Sequence, residues 1–340
     1  MSRKAGGSYD HLIAFALEHP WAITPNMLAV IAGVLAGRLA GEAPDAAALL
    51  LAQELRAHRE VPIAAGGTVR VIPIFGVIAP RMNMLSEMSG GTTFDSLTKS
   101  LQEAVADPNV RAVVFDVDSP GGNVAGASEF AREVLRARTV KPVYAQAQYL
   151  MASAAYHPMA CATEIIAAPS AMLGSIGAFS MYDDLTEALA QLGVKREVFV
   201  AGKYKAEGVG GTGLSAEART HITGLVEGAY GRMIGDIAKG RGVSASDVRK
   251  GYGEGRLLDV EQARACGLCD RIGTLQDTIA RAATARHSSS ATPRAEDPPP
   301  SATGQELQPA AATPQEPRAV SDPTTDLVQY EQRLLALAKG

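Results

Sequence analysis

Between Thr68 and about Arg286, strand-like and helix-like stretches alternate, and this alternation constrains the fold more than any other feature of the sequence. The segments TVRVIPIFGVIA and RAVVFDVD are rich in branched residues and are bounded by Gly, Pro or Asp, as strands are. Helical spacing of apolar residues marks FDSLTKSLQEAVAD between them. The order continues with a helix over about 125–137, the strand PVYAQA, a helix containing Ser153, the strands EIIAAP and REVFVA, and a long helix over about 215–239. Such alternation predicts an α/β protein with a largely parallel sheet.

The flanking regions differ from this central domain, which we place at residues 66–286. Residues 1–65 predict a helical N-terminal extension, with helices opened by Thr24-Pro25 and Pro44-Asp45. Residues 287–322 are rich in Pro, Ala, Ser and Thr and predict a disordered linker. Residues 323–340 again show helical spacing and predict a short amphipathic helix. That helix is either a docking element on a tether or a marginal helix without a partner.

Composition limits the classes of function. Hydrophobic residues make up 46% and charged residues 20% of the chain, as in ordinary soluble globular proteins. The formal net charge of −4 gives no electrostatic reason to expect nucleic acid as a partner. The apolar run Asn26–Gly37 is shorter than the ~20 residues that cross a bilayer, and no signal-peptide pattern precedes it. We therefore expect a cytoplasmic protein without a membrane partner.

The three cysteines, Cys161, Cys266 and Cys269, cannot all pair within one chain and favour a reducing compartment. Cys266 and Cys269 have the spacing of a zinc or redox pair, but the sequence offers neither a second CxxC nor a histidine pair beside them. We interpret them as two small residues at a helix end and expect no metal and no cofactor.

Two short segments could carry chemistry. DSPGG leaves a predicted strand and enters a helix, and Gly121 and Gly122 would let the backbone present an N–H group outward, as an oxyanion hole requires. This kind of turn is also common without a function. YLMASAAYHPMACA places the hydroxyl of Ser153 among small residues, where it is either a packing residue or a nucleophile.

A nucleophilic Ser153 would need a base, and the residues alone leave two candidates. His157 follows at i+4, but the nearest carboxylate behind it is Glu164, so nothing evident orients the ring. Lys203 and Lys205 lie in the glycine-flanked segment VFVAGKYKAEG. A lysine must be partly desolvated to act as a base, because its reference pKa is ~10.4.

Taken together, five segments resemble the signal peptide peptidase A family of serine proteases, and most closely its tailed-phage branch, the head maturation proteases. They are DSPGG, MASAAY, GSIGAF, GKYKAEG and GRLLDVEQARACGLCDRIG, in that order over about residues 66–284. One departure is Ala154-Ala155 after the serine, where cellular members usually have Gly-Gly. A second is that we find no transmembrane anchor of the kind common in cellular members.

The resemblance implies a fold and a site. The fold is the Clp protease/crotonase-like superhelix of ββα units. Ser153 matches the nucleophile, Lys205 the general base and Ser175 the hydroxyl that orients the lysine, with Lys203 as a surface neighbour. Gly122, or Gly121 if the turn is shifted, would form the oxyanion hole with the backbone N–H of Ser153. No cofactor is implied.

The resemblance also implies a role. The expected activity is that of a phage or prophage endopeptidase that cleaves scaffold, portal or capsid proteins at small apolar residues during procapsid maturation, with its own chain as a candidate further substrate. We expect protein or peptide substrates, a homo-oligomer, and a location in the host cytoplasm with the procapsid. Two alternatives stay open: a cytosolic peptidase that degrades residual signal peptides, and a non-catalytic procapsid assembly protein.

Overall fold

The structure, a computed structural model, describes residues 21–24, 63–64, 68–80, 92–182, 184–209 and 212–285. Its larger sheet has a parallel centre made by β3 (Val69–Phe75), β6 (Ala112–Ser119) and β8 (Val143–Ala152), each hydrogen-bonded to the next. β9 (Glu164–Ala167) and β10 (Met172–Gly174) both pair parallel with β8, at its start and its end respectively. The sheet is extended by β2 (Ile63–Ala64), β11 (Leu257–Asp259) and β12 (Arg271–Ile272).

A second, smaller sheet follows the order β1, β7, β4, β5. Its strands are β1 (Trp21–Ile23), β4 (Ile78–Ala79), β5 (Thr92–Thr93) and β7 (Gly121–Asn123). β4 and β7 come directly after β3 and β6 along the chain, so both of these long strands lead into the other sheet before the next helix, whereas β8 leads directly into a helix. The parallel sheet with helices between its strands confirms the predicted α/β class, and β6, β7 and the helix after them form one ββα unit.

The described residues contain eight α-helices. They are α1 (Phe94–Ala106), α2 (Ala127–Ala137), α3 (Tyr156–Met159), α4 (Thr186–Gln191), α5 (Ala216–Arg241), α6 (Ala245–Gly251), α7 (Val260–Ala265) and α8 (Leu275–Thr284). Local sequence fixes several ends: the Thr93 hydroxyl caps α1, the Ser215 hydroxyl caps α5, and Gly242 ends α5 with a left-handed backbone. None of the helices in these ranges is long and apolar enough to cross a membrane.

The parallel sheet is buried on both faces, which explains its continuous runs of branched residues. One face packs against α1, α2, α3 and α5 around Phe115, Phe130, Tyr156 and Ile237. The other face carries a smaller cluster in which α8 covers Val71 and Val114. Burial on both faces holds the carboxyl ends of β6, β8 and β10 in fixed register.

Three local predictions need correction or fall outside the description. β8 is longer than PVYAQA and runs to Ala152, so Ser153 follows a strand and is not within a helix. Residues 196–201, predicted as a strand, form no regular element and are largely exposed, because no described strand pairs with them. Trp21–Ile23 is a strand of the small sheet, whereas the remaining helices predicted within residues 1–65, the linker and the terminal helix lie outside the described residues.

Candidate active site

Ser153 stands at the carboxyl end of β8 in a backbone conformation that serine rarely adopts. Its φ is +53° and its side chain is almost fully buried. A left-handed non-glycine residue costs on the order of 1 kcal/mol or more and persists where the surrounding structure enforces it, often at functional sites. The backbone N–H of Ser153 donates to the carbonyl of Gly174 at 2.8 Å, which holds this turn against β10.

Ser175 lies beside Ser153. β8 and β10 run parallel with Ala152 opposite Gly174, so the residue after each strand is one of the two serines. Neighbouring strands are ~4.8 Å apart, which makes the two serines adjacent. Ser175 is also left-handed, with φ of +51°, and its N–H donates to the carbonyl of Arg256 at 2.8 Å. The structure thus places side by side two serines that are 22 positions apart in the sequence.

A pocket for a carbonyl oxygen lies next to Ser153. The N–H of Ala154 donates to the carbonyl of Ala22 at 3.0 Å, and Ala22 is paired with Gly122 in the antiparallel ladder of β1 and β7. In such a ladder hydrogen-bonded pairs alternate. Since Thr24 donates to Pro120 at 3.1 Å, the next hydrogen-bonded pair is Ala22 with Gly122. The N–H groups of Ala154 and Gly122 therefore converge on one oxygen.

Two of the N–H groups predicted for the oxyanion hole donate to other acceptors in this structure. The Ser153 N–H is already donated to Gly174, and the Gly121 N–H donates to the Ser119 hydroxyl at 3.2 Å. Gly122 is one of the converging donors, and the other is Ala154, the residue after the serine. The sequence did not point to Ala154. Its N–H is directed at the pocket by the left-handed backbone of Ser153, and the residue types around Ser153 do not predict that conformation.

Comparisons with known proteins show which sequences this chain is similar to. Residues 136–289 match the profile of peptidase family S49. Over these residues the chain is similar to the S49 peptidases. The head-tail preconnector protein GP5 of Enterobacteria phage P21 is 28% identical over 82% of this chain and 58% of its own length. The capsid assembly protease C of Escherichia phage lambda is 26% identical over 79% of this chain and 64% of its own length.

A cellular protein is similar as well: protease 4 of Salmonella typhi is 31% identical over 66% of this chain and 35% of its own length. The matches to these relatives span 58%, 64% and 35% of their lengths. The predicted resemblance to the signal peptide peptidase A family and its phage branch is confirmed.

Lys205 lies in the turn over residues 201–208 with its side chain exposed. Among the described contacts, no hydrogen bond joins it to Ser153 or Ser175. Around it Phe199 is 91% exposed and Tyr204 is 54% exposed. Lys203, its neighbour, lies 3.8 Å from Glu217 and over the ring of Tyr204. Within one chain, then, the structure assembles the serines and the carbonyl pocket but leaves the lysine in solvent.

His157 has a partner that the sequence did not reveal. Its Nε2 lies 2.9 Å from the Asp236 carboxylate of α5, 79 positions further along the chain. Burial raises the pKa of Asp236, but the hydrogen bonds from His157 and Ser128 outweigh it and the pKa falls below its usual value. An orienting carboxylate therefore exists, contrary to the expectation that nothing orients the ring. No described hydrogen bond joins the imidazole to the Ser153 hydroxyl, which instead points toward the carbonyl of Gly177 at 3.4 Å.

The cysteine pair lies after α7. Cys266 and Cys269 are free thiols, and burial raises the pKa of the Cys269 thiol to about 11. A thiol with a raised pKa is a poor nucleophile and a poor metal ligand at neutral pH. In the ranges that the structure describes, no group of three or more His, Cys, Asp or Glu side chains could hold a metal ion.

Proposed function

We propose that this chain is a serine endopeptidase in which Ser153 is the nucleophile and Lys205 the general base. The observation that carries the proposal is a carbonyl pocket with two converging N–H donors, from Ala154 and Gly122, directly beside Ser153. Two such donors stabilise the negative charge that develops when a hydroxyl attacks a peptide carbonyl. The S49 profile match over residues 136–289 supports the same chemistry.

In the proposed reaction the Ser153 hydroxyl gives its proton to the neutral Lys205 amine and attacks the carbonyl carbon of a peptide. The oxyanion is held by Ala154 and Gly122, the lysine returns the proton to the leaving amine, and water hydrolyses the acyl-enzyme. Ser175 is a positioning residue whose hydroxyl would orient Lys205, as its place beside Ser153 allows.

We further propose that the active form is a homo-oligomer. Lys205 must leave solvent to act as a base, and the exposed apolar side chains of its own segment, Val198, Phe199, Val200 and Tyr204, offer a surface that a second copy can cover. Covering this surface would bury Phe199 and remove water from the lysine together. Sedimentation of the wild type and of Phe199→Ser tests this point: loss of both assembly and activity supports it, and a fully active monomer contradicts it.

The biological substrates that we propose are scaffold, portal or capsid proteins of a phage or prophage, cleaved in the host cytoplasm within the procapsid. The names of the two phage relatives, a head-tail preconnector and a capsid assembly protease, support this choice. Similarity to protease 4 favours a second candidate, a cellular peptidase of the same chemistry. Co-expression with scaffold and portal proteins encoded beside this chain separates the two, because only the phage role predicts their cleavage.

The chemistry is tested with unstructured β-casein as the probe and four variants of the full chain. Ser153→Ala should abolish cleavage, and Lys205→Ala should lower the rate by ~10²–10⁴, the usual contribution of a general base. Lys203→Ala is the matched control, since it removes a lysine two residues away and should retain the wild-type rate. His157→Ala should retain catalysis in the fraction that folds.

The two candidate bases give opposite results. If Lys205→Ala cleaves at the wild-type rate while His157→Ala is inactive and folded, the histidine paired with Asp236 is the base and the lysine assignment is wrong.

A further inference from the structure

The segment Trp21–Thr24 lies between two backbone segments of the candidate active site and pairs with both. On one side Trp21 and Phe179 exchange both of their backbone hydrogen bonds, at 2.9 and 3.0 Å. On the other side the segment pairs antiparallel with β7, which carries Gly121 and Gly122. A protein that recognises an extended peptide commonly holds it in this way, as an added strand. Residues 21–24 therefore occupy the place of a bound peptide.

The register of this segment puts the carbonyl of Ala22 in the oxyanion pocket. Its oxygen accepts from the N–H of Ala154 at 3.0 Å and faces Gly122 in the ladder. The same oxygen lies beside the nucleophile: a β-carbon on Gly121 would be 2.3 Å from it and 3.0 Å from the Ser153 β-carbon. Only a glycine at position 121 leaves room for a peptide carbonyl and the serine together.

Side chains of the segment fit the site as a substrate would. Ala22 is fully buried, and Trp21 and Ile23 on either side of it are each 2% exposed. A fully enclosed alanine at the position whose carbonyl is bound requires a small residue there, because a larger side chain would overpack its surroundings. The flanking positions accept large apolar side chains.

We propose that Ala22–Ile23 is a self-cleavage site and that the uncut segment blocks the active site. This inference rests on the proposed peptidase function. The Ser153 Oγ forms a bond to the carbonyl carbon of Ala22, and the bond from that carbon to the Ile23 nitrogen breaks. The serine proton passes through the base to the Ile23 nitrogen, which becomes a free α-amine. Water then releases a chain that ends at Ala22 and restores Ser153.

Because the segment lies in the cleft of its own chain, the cut is intramolecular, and once the homo-oligomer has assembled its fractional rate is independent of protein concentration. The uncut chain is also self-inhibited, since another peptide cannot use the pocket that Ala22 fills. Cleavage of an added protein therefore follows removal of the segment, and β-casein should be cleaved only after a lag.

The test follows N-terminal sequences and intact masses of the purified full chain over time, with β-casein cleavage measured in parallel. Wild type should yield a product that begins at Ile23, at the same fractional rate at two protein concentrations at which sedimentation shows full assembly. Ser153→Ala should yield no such product, even when mixed with wild type. Ala22→Asp introduces a buried charge that expels the segment, so it should remove both the cut and the lag. Ala216→Asp adds the same charge at an exposed position at the start of α5 and should behave as wild type.

A second variant tests the proposal if Ala22→Asp does not fold. Ile23→Pro replaces the scissile peptide N–H, which the ladder with β7 does not use, since Ile23 and Gly121 form a non-hydrogen-bonded pair. It should stay uncut and cleave β-casein more slowly than wild type. If wild type cleaves β-casein but no chain begins at Ile23, the self-cleavage site is wrong while the peptidase function stands. If neither wild type nor any variant cleaves β-casein or itself, the proposed peptidase function is wrong, and the self-cleavage site that rests on it is wrong as well.

Discussion

A methyl group at Gly122 should damage both the small sheet and the oxyanion pocket. A β-carbon built on Gly122 lies 1.9 Å from the carbonyl oxygen of Ile78 and 2.7 Å from its nitrogen, and both are backbone atoms of β4. Real β-carbons essentially never come within 3.0 Å of another atom, so Gly122→Ala must push β7 away from β4 by about 1 Å. No side-chain rotation can relieve this contact.

Two magnitudes follow. Overpacking of this kind costs about 1–3 kcal/mol of unfolding free energy. The shift also moves the Gly122 N–H, one of the two donors of the pocket, and loss of one oxyanion donor lowers kcat by ~10²–10³. The fold should survive while the activity falls far more than the stability.

Urea unfolding and β-casein cleavage measure the two effects on the same protein. Gly177→Ala is the matched control, since a β-carbon on Gly177 meets nothing within 4 Å although this residue also borders Ser153. Gly177→Ala should be within about 0.5 kcal/mol of wild type and retain its rate. If Gly122→Ala matches Gly177→Ala in both measurements, the position of β7 and its role as an oxyanion donor are both wrong.

Three further predictions concern groups outside the reacting atoms. Burial raises the pKa of Asp116 to about 6, with a smaller contribution from the Asp118 charge and against the effect of a hydrogen bond from Gln148. The unfolded chain therefore releases this proton at a lower pH than the folded chain. Unfolding free energy should therefore fall as pH rises from about 4 to about 6, by at most about 3 kcal/mol, and urea titrations of Asp116→Asn should lack this fall. Arg241 holds Asp270 through two hydrogen bonds of 3.0 and 2.7 Å. Arg241→Met should thus cost about 1–3 kcal/mol of unfolding free energy, because Asp270 loses its guanidinium donors but is partly exposed and keeps the Ile165 N–H. The exposed Arg136→Met should change the unfolding free energy by less than about 0.5 kcal/mol. Asp236→Asn should lower the melting temperature and leave the β-casein rate of the folded protein intact; an inactive but stable variant would instead make the His157 pair part of the catalytic machinery.

Strand and helix alternation was readable from the sequence because burial on both faces of a parallel sheet leaves a strong pattern. RAVVFDVD and FDSLTKSLQEAVAD became β6 and α1, and the helix predicted over about 215–239 became α5, with its serine cap and glycine end. These elements depend on the local spacing of apolar residues and on helix capping, both of which are determined by residues close together in the sequence.

The site was readable only in part. Ser153 and Ser175 could be singled out by motif, but their adjacency comes from the parallel register of β8 and β10, a non-local property. The pairing of His157 with Asp236 and the donor role of Ala154 likewise depend on tertiary packing and on one left-handed turn. Trp21–Ile23 has too few residues to show any period, and its strand exists only because two distant edges pair with it.

The central claim, that Ser153 attacks a peptide carbonyl, is tested most directly by trapping the acyl-enzyme. A peptide ester ending in alanine acylates a serine peptidase faster than water removes the acyl group, so acid quenching within seconds preserves the adduct. Fragmentation mass spectrometry of the digested protein should locate the acyl group on Ser153 and find none in Ser153→Ala. An adduct on another residue, or turnover of the ester that persists in Ser153→Ala, would contradict the account.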